Sequence, residues 1–572
     1  MFTRSTRGIP TSVFSHIPIN THPFPSPWLI IRVLPRSVDY SPERSAEVDP
    51  VAVPKLIWMI RILNRMNPNT LGTVYILPSM SSQLSKARPT GNRSSRTRIH
   101  LLDDDSLLII FSFCRPVIFD ESEATNTTQI LAGGEWKREW WWHRLIQVCR
   151  RWRYLVLDSA FHLRVSLVCG RGTPVADMLA HSPPVPLIID HIDEEYDVLT
   201  PEDEEGIILA LQHRDRVRRI RIMKSISILQ KIVIALDGEF PILEYLLIKQ
   251  QHHQLLWMEP DTHLKFPETL RAPHLCQLVI MNFSLPIESP MLTSTMGNLV
   301  VLSLNSIPSS GHFLPPALLQ RLSLMTRLET FGIFFNSYEP NRDVERNFLS
   351  THIMTRVTLP NLRWFGFQGT SAYLEALLPW VTIPLLERLQ VYFFNQPIYS
   401  IPRLQQFMST ARNLRIKTAT VAIGVASLGV TAYLHKEDMF SLDMDLRAQD
   451  LDWQVVSAAQ VFPALKTVFS AVEHLIIEYN RHNISSEWNR QPDRTYWREF
   501  LGSFDKVKTL RVEYGLVEQV SRALQPDEGE SSTELFPELQ ELVYSRRDAS
   551  GAFALFVDAR QKAGLPLTVN LI

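Results

Sequence analysis

The chain has 572 residues, which is enough for several ordinary domains or for one long repeat array. Its 58 basic and 59 acidic side chains give a formal net charge of −1, so no excess of positive charge favours nucleic acid or an anionic membrane as a partner. With 45% hydrophobic residues, and with 21 glycines against 38 prolines, the composition is that of a folded protein without glycine-rich phosphate loops.

The first 98 residues are predicted to be a disordered leader that ends in a basic linker. The first acidic residue is Asp39, and repeated prolines between Pro10 and Pro27 would break the amphipathic helix of an organellar transit peptide. Residues 79–98 mix Ser, Arg, Lys, Gly and Pro without apolar periodicity, which is typical of a linker, with a nuclear signal as the alternative.

Two helices are predicted next. Three acids, at positions 103–105, precede an apolar run that ends near Phe113, and Asp103 or Asp104 is expected to cap the first helix. The second helix is predicted as one continuous apolar stripe with offsets of three, four and seven residues. Its members are Leu145, Val148, Cys149, Trp152, Leu155 and Val156.

These two segments together resemble an F-box, the helical module by which substrate receptors attach to the Skp-type adaptor of cullin-RING ubiquitin ligases. The first reads L-x-D-D-x-L-L-x-I-F over 102–111, and the second reads L-x-x-V-C-R-R-W-R over 145–153. The sequence is similar in its pattern to the F-box proteins abundant in mushroom-forming (basidiomycete) fungi. The resemblance implies an F-box-like module over 99–165, with an insert at 114–142. It also implies adaptor-binding residues, namely Leu102, Leu107, Leu108, Ile110, Phe111, Leu145, Val148, Cys149 and Trp152.

The chain departs from the F-box pattern at two points. The usual Leu-Pro entry is replaced by Leu102-Asp103, so the fixed backbone dihedral of proline is missing. The insert between the helices is also longer than usual and carries Trp136, Trp140, Trp141 and Trp142. The three consecutive tryptophans at 140–142 are expected to pack in the core rather than to form a binding surface.

Residues 166–572 contain a degenerate repeat of the form Pro-x-Leu-x-x-Leu-x-Ile. Ten units lead with an apolar residue at positions 217, 243, 275, 299, 328, 362, 386, 472, 507 and 539. Their spacings lie between 24 and 35 residues, apart from one interval of 86, and periods near thirty predict a solenoid. The long interval is expected to hold two further units, with strands near Val421 and Leu442.

Each unit is predicted to supply a strand followed by a helical segment, and neighbouring units bury each other's apolar faces. The predicted fold class is α/β, a short N-terminal helical F-box module followed by an irregular leucine-rich-repeat-like α/β solenoid. The array resembles leucine-rich repeats except that the asparagine that ties their turns together is not a regular feature. Positions between the inward leucines, such as Arg219, Gln277, Ser303 and Arg388, are expected to determine specificity.

The uncharged segment 418–435 has the length of a thin membrane span, but its Thr, Ala, Gly and Ser content favours two short strands. The His252-His253 pair is interpreted as a solvated loop rather than a metal site, and the acids between Asp193 and Glu205 as a solvated loop rather than a site for a cation or a basic partner. The four cysteines are Cys114, Cys149, Cys169 and Cys276. They contain no C-x-x-C pair and fit a reducing, cytoplasmic or nuclear compartment.

No sequence motif indicates catalysis, and no cofactor is expected. The leading hypothesis is a non-enzymatic substrate-recruitment subunit of an SCF-type cullin-RING ubiquitin ligase. Its expected partners are a Skp-type adaptor with its cullin ligase and an unidentified protein substrate. The alternatives are an interaction scaffold that has lost adaptor binding and an unrecognised hydrolase.

Overall fold

The computed structural model describes residues 102–114 and 141–572, apart from internal gaps in that description at 193–198, 251–263, 309–310, 337–355, 395, 397, 425–426, 436–438, 449–450, 480–492, 514, 526–534 and 546–550. The chain divides into two compact units, residues 1–103 and 104–572. Every helix and strand of the described residues belongs to the second unit. The predicted leader at 1–98, most of the predicted insert and the His252-His253 pair lie outside the described residues.

Three short helices open the second unit: α1 (Asp104–Phe113), α2 (Trp141–Ile146) and α3 (Arg150–Asp158). The first begins where the run of acids predicts. The prediction of one continuous second helix is wrong, because the chain leaves the helix at 147–149 and Cys149 is extended (φ −160°, ψ 169°). The Arg153 side chain donates through Nε to the Ile146 carbonyl (3.1 Å), which satisfies a carbonyl at the end of α2 that a continuous helix would have bonded internally.

The array that follows alternates strands with helices. Within the described residues, sixteen strands form one sheet in the order β1-β2-β3-β4-β6-β8-β9-β11-β13-β16-β15-β14-β17-β18-β19-β20, and two accessory pairs are β5-β7 and β10-β12. The strands are β1 (Leu167–Cys169), β2 (Leu187–Ile192), β3 (Val217–Lys224), β4 (Tyr245–Gln250), β5 (Leu264–Lys265), β6 (Gln277–Met281), β7 (Phe283–Ser284), β8 (Val301–Ile307), β9 (Thr330–Phe335), β10 (Val357–Thr358), β11 (Trp364–Gly369), β12 (Val381–Thr382), β13 (Arg388–Phe393), β14 (Thr418–Ile423), β15 (Ser427–Tyr433), β16 (Leu442–Arg447), β17 (His474–Tyr479), β18 (Thr509–Val512), β19 (Glu541–Tyr544) and β20 (Thr568–Leu571).

Helices connect most of these strands. They are α4 (Val175–His181), α5 (Pro201–Gln212), α6 (Ile226–Ala235), α7 (Pro290–Thr295), α8 (Pro315–Leu322), α9 (Ser371–Leu377), α10 (Pro402–Thr410), α11 (Leu451–Ala464), α12 (Lys466–Phe469), α13 (Arg494–Leu501), α14 (Val517–Leu524) and α15 (Ala554–Lys562). Within the described residues, no helix combines the length and the apolar character that a membrane crossing requires.

The acidic segment at 202–205 is a helix start and not the loop predicted from its charge. It forms the first turns of α5, where Thr200 Oγ1 accepts from the Asp203 amide (3.1 Å). Asp203 is buried, and its carboxylate accepts the Gly172 amide (2.7 Å). Carboxylates at this end of a helix interact favourably with the unpaired amides and with the helix dipole, so the acids stabilise the helix start.

Each of the ten repeat units identified in the sequence leads into a strand of the main sheet. The lead residue is at most 2% exposed in every unit. It lies in the turn before the strand, except in the first unit, where Val217 is itself the first residue of β3. Prolines such as Pro241 and Pro384 open the turn two residues ahead of the lead. The alternating pattern after it produces two faces. One face, the core face, carries buried residues such as Ile220, Leu246 and Leu278.

The long interval in the repeat contains an inversion of strand order. Strands do form at Val421 and Leu442, as predicted, and β14 and β15 are the two short strands predicted for the uncharged segment. However, β15 pairs antiparallel with both β14 and β16, and β16 rather than β14 lies beside β13. The parallel array resumes when β17 pairs with β14. The irregular solenoid therefore contains an antiparallel three-stranded meander.

Candidate functional site

The two segments with the F-box resemblance pack against each other although 33 residues separate them. Phe111 of α1 meets Trp152 of α3 edge to face, with ring centroids 4.7 Å apart. Arg151 donates from Nη2 (2.6 Å) and Nε (2.9 Å) to Asp104 Oδ1. The aromatic contact is worth about 0.5–1.5 kcal/mol, whereas the ion pair is solvent-exposed and worth at most ~1 kcal/mol.

The predicted adaptor-binding residues fall into three groups by exposure. Leu107, Phe111 and Leu145 are at most 4% exposed and form the inside of the module, so they support its surface rather than contribute to it. Val148 and Cys149 are exposed on the turn between α2 and α3. The remaining members are half-buried, namely Leu102, Leu108, Ile110 and Trp152.

Sequence reasoning missed part of the exposed apolar surface of the module. Ile109 and Phe113, four residues apart on α1, are 57% and 72% exposed, and Tyr154 on α3 is 65% exposed. Their spacing was a usable signal, since residues two positions after the buried Leu107 and Phe111 must lie on the opposite side of the same helix. Single exposed apolar residues are common, but several on so small a module make it the candidate functional site.

A tryptophan of the module donates a hydrogen bond to the chain at the start of the array. Trp142 of α2 is 2% exposed, and its indole Nε1 donates to the Ser166 carbonyl (3.2 Å), immediately before β1. Core packing, the expected role of the three consecutive tryptophans, is therefore confirmed for Trp142, while Trp141 is half-buried and Trp140 lies outside the described residues. Burial raises the pKa of the Cys114 thiol at the end of α1 to about 11, which makes it an unreactive thiol.

The face opposite the core face, which we call the outer face, carries the four positions proposed for specificity. Arg219, Gln277 and Arg388 occupy one row of the sheet, since each strand in this series pairs with the next in the same register. Ser303 lies in the neighbouring row of the same face. All four are half-buried. The alternation in the sequence thus correctly predicts which positions share this face.

The chemistry of the outer face changes along the sheet. On its N-terminal strands it carries a buried apolar cluster that includes Ile192, Met223, Leu247 and Val279. From β9 to β16 it carries aromatic and acidic side chains that sequence reasoning missed, although the alternating segment Leu442 to Arg447 was a signal for two carboxylates on one face. In the described part of the chain, no three His, Cys, Asp or Glu side chains converge to hold a metal ion.

No family model matches the chain, and no curated protein matches it in sequence. Among solved structures, it is similar to the leucine-rich repeat-containing protein LegL7 from Legionella pneumophila, with 11% identity, a TM-score of 0.23, and coverage of 70% of this chain and 98% of that chain. Two structures with such a TM-score do not superpose as wholes. The architecture of this protein, a mixed α/β chain with a long, mostly parallel sheet consistent with a leucine-rich-repeat-like solenoid, therefore rests on its own strand register.

Proposed function

We propose that this protein is the substrate-recruitment subunit of an SCF-type cullin-RING ubiquitin ligase, with the helical module binding a Skp-type adaptor and the sheet array binding a protein substrate. The observation that carries the proposal is the exposed apolar surface of the module, formed by Ile109, Phe113, Val148 and Tyr154. These side chains cover a scaffold whose inside is filled by Leu107 and Phe111. Apolar side chains exposed on a packed support favour a protein partner.

We assign adaptor binding and substrate binding to different parts of the second unit. The module is small and helical, whereas the array repeats one backbone unit and varies the residues on its outer face, which suits recognition of a protein surface. In this proposal the ubiquitin chemistry belongs to other subunits, and the chain needs no catalytic group or cofactor. The compartment implied by such a role is the cytoplasm or the nucleus.

The proposal predicts that a charge on the exposed turn abolishes adaptor recovery. Val148→Asp replaces a side chain that is 53% exposed, so the variant is expected to fold, but the carboxylate would be desolvated in an apolar interface. We expect recovery of a co-expressed Skp-type adaptor in a pull-down to fall at least about tenfold.

The matched control is Ile234→Asp, which places the same charge at a 76% exposed isoleucine of α6 in the array. This variant should recover the adaptor like the unaltered protein. If the unaltered chain recovers no adaptor, or if both variants lose it equally, the ligase role is wrong and the scaffold alternative replaces it.

A further inference from the structure

An acid–aromatic cluster lies on the outer face where the strand order inverts, and it consists of Phe334, Trp364, Tyr392, Asp443 and Asp445. These side chains come from four strands that are adjacent in the sheet, β9, β11, β13 and β16. Register places Gly332, Gly366, Gln390 and Asp443 in one row, and Phe334, Gln368, Tyr392 and Asp445 in the next. The cluster is thus built by the sheet itself.

Two glycines make room for the aromatic part of the cluster. A Cβ atom on Gly332 would lie 2.7 Å from Phe334 Cε2 and 3.0 Å from Trp364 Cζ3, and one on Gly366 would overlap both rings. The Phe334 ring extends across β11, so that its centroid is 6.2 Å from that of Trp364 and 6.3 Å from that of Tyr392. The three rings form a continuous aromatic floor beside the carboxylates.

The two carboxylates differ in how well their oxygens are bonded. Asp443 accepts from the Tyr392 hydroxyl (2.7 Å) and from Gln390 Nε2 (3.1 Å) at one oxygen, and from Thr431 Oγ1 (3.4 Å) at the other. Asp445 faces Ser427 and Arg447, but its Oδ1 is buried without a hydrogen-bond partner. Burial of an acceptor without a donor is unfavourable.

A second polar group of the cluster also lacks a hydrogen-bond partner. Trp364 is 4% exposed, and its indole Nε1 is buried without a hydrogen-bond acceptor. The Cζ3 edge of the indole lies over Gly332 on the β9 side, so the edge that carries Nε1 is on the side away from β9. The cluster therefore contains one donor, on β11, and one carboxylate acceptor, on β16, that lack hydrogen-bond partners.

We propose that the acid–aromatic cluster binds an arginine side chain of a protein partner. A guanidinium fits because it stacks on aromatic rings and donates in a plane to carboxylates. Phosphate-bearing partners are disfavoured by the paired negative charges, and two acids from one strand give too few ligands for a divalent cation. The assignment rests on the proposed role of the array as a protein receptor.

Arg447 competes for the same acids. It interacts with Asp445, donates from Nη2 to Gln368 Oε1 (3.3 Å) and lies 5.9 Å over the Phe394 ring. An incoming guanidinium must share Asp445 with this resident one. Removing the resident cation is therefore expected to strengthen binding, an effect opposite to that of removing the acids.

The test uses the purified full chain without adaptor and two immobilised heptapeptide libraries, random except for a central arginine or a central citrulline. Citrulline keeps the shape of arginine but is uncharged. The unaltered protein should be retained about tenfold more strongly by the arginine library. The double variant Asp443→Asn/Asp445→Asn should lose that preference, whereas Glu541→Gln, on the same face at the distant strand β19, should keep it.

Arg447→Met keeps the proposal falsifiable even if the double variant is unstable, since it should raise retention by the arginine library at least about twofold. Equal retention by both libraries overturns the proposal, as does an unchanged or weaker retention of Arg447→Met. Because no adaptor is present, failure of this test leaves the adaptor-binding result untouched, and a failed adaptor pull-down leaves this result untouched.

Discussion

At the scale of single residues, Asp445 makes the stability of the fold depend on pH. Burial raises the pKa of this carboxyl to about 6, with the charge of Asp443 adding to the effect, while the Ser427 hydrogen bond and Arg447 act in the opposite direction. Burial likewise raises the pKa of Asp443 against its three hydrogen bonds. The outer face thus holds two carboxylates that ionise less readily in the folded chain than an ordinary aspartate does.

The sign of the pH effect follows from proton binding. An aspartate in the unfolded chain has a pKa near 3.9, so between about pH 4 and pH 6 the folded state binds more protons and stability falls as pH rises. Asp445→Asn removes this loss. We expect the free energy of unfolding of the variant, minus that of the unaltered protein, to be about 2 kcal/mol larger at pH 7 than at pH 4, as measured by urea denaturation.

The control for the loss of one negative charge is Asp558→Asn, which neutralises a carboxylate on α15 that is 60% exposed. A difference between Asp445→Asn and the unaltered protein that stays constant across pH would show that the Asp445 carboxyl is not desolvated in the way described.

At the scale of the strands, the close approach of the aromatic rings to the backbone makes Gly366 sensitive to substitution. Gly366→Ala would place a methyl group where Trp364 and Phe334 lie, so the rings must move or the strands must separate. We expect a loss of about 1–3 kcal/mol in the free energy of unfolding and a changed near-ultraviolet circular dichroism signal from the displaced rings.

Gly429 provides the matched control on the same face. It also lies inside a strand, but the nearest atoms to its would-be Cβ, the Ala422 carbonyl oxygen and Asp445 Oδ2, are 3.9 Å away. Gly429→Ala is therefore expected to be neutral or slightly stabilising, because alanine has less freedom to lose on folding. Equal destabilisation by both substitutions would mean that the rings do not require the glycine.

The strands were the most predictable elements, since a buried lead residue followed by alternating apolar residues is a local pattern that each unit carries in full. The inversion at β14 to β16 was not predictable in the same way. Val421 and Leu442 carry correct strand signals, but which strand lies beside β13 depends on pairing between distant segments. The helix break before Arg150 was missed because Arg153 bonds to a carbonyl of the preceding helix, which periodicity does not report.

The candidate site was predictable to a similar degree. The apolar stripe identified the module, but exposure separated supporting residues such as Leu107 from accessible ones such as Val148. The acid–aromatic cluster was not predicted, because its members lie up to 111 residues apart in the sequence, from Phe334 to Asp445, and meet only through the sheet register.

At the scale of the whole molecule, backbone hydrogen bonds and some charge pairs join neighbouring units in addition to the apolar packing of their core faces. The carbonyl ahead of each strand accepts the first amides of the next unit, as when Glu244 O accepts from Gln277 N (3.1 Å). At the same position Arg218 pairs with Glu244 (3.0 Å), and Glu473 lies between Lys417 and Lys508. Asparagine ties of the kind seen at Asn298, which donates to Pro273 O (2.8 Å), are occasional.

Such an array is held together through nearest neighbours, so its weakest junction decides how it unfolds. In the order of the sheet, β15 lies between two series of strands. It pairs with β16, which ends the series that begins at β1, and with β14, which begins the series that ends at β20. Val430→Asp places a charge at a fully buried position of β15 and should cost at least about 3 kcal/mol. We expect hydrogen exchange to show lost protection over 418–447, with protection retained from β1 to β11.

Tyr433→Phe, on the outer face of the same strand, should leave the exchange pattern unchanged, because it removes only a hydroxyl. The expected signature of Val430→Asp is two separate unfolding transitions, since the strands beyond β14 lose their connection to the longer N-terminal array while the latter keeps its own neighbours. A single transition in which β1 to β11 lose protection together with the meander would show that coupling through the helices, rather than strand-to-strand pairing, makes the array cooperative.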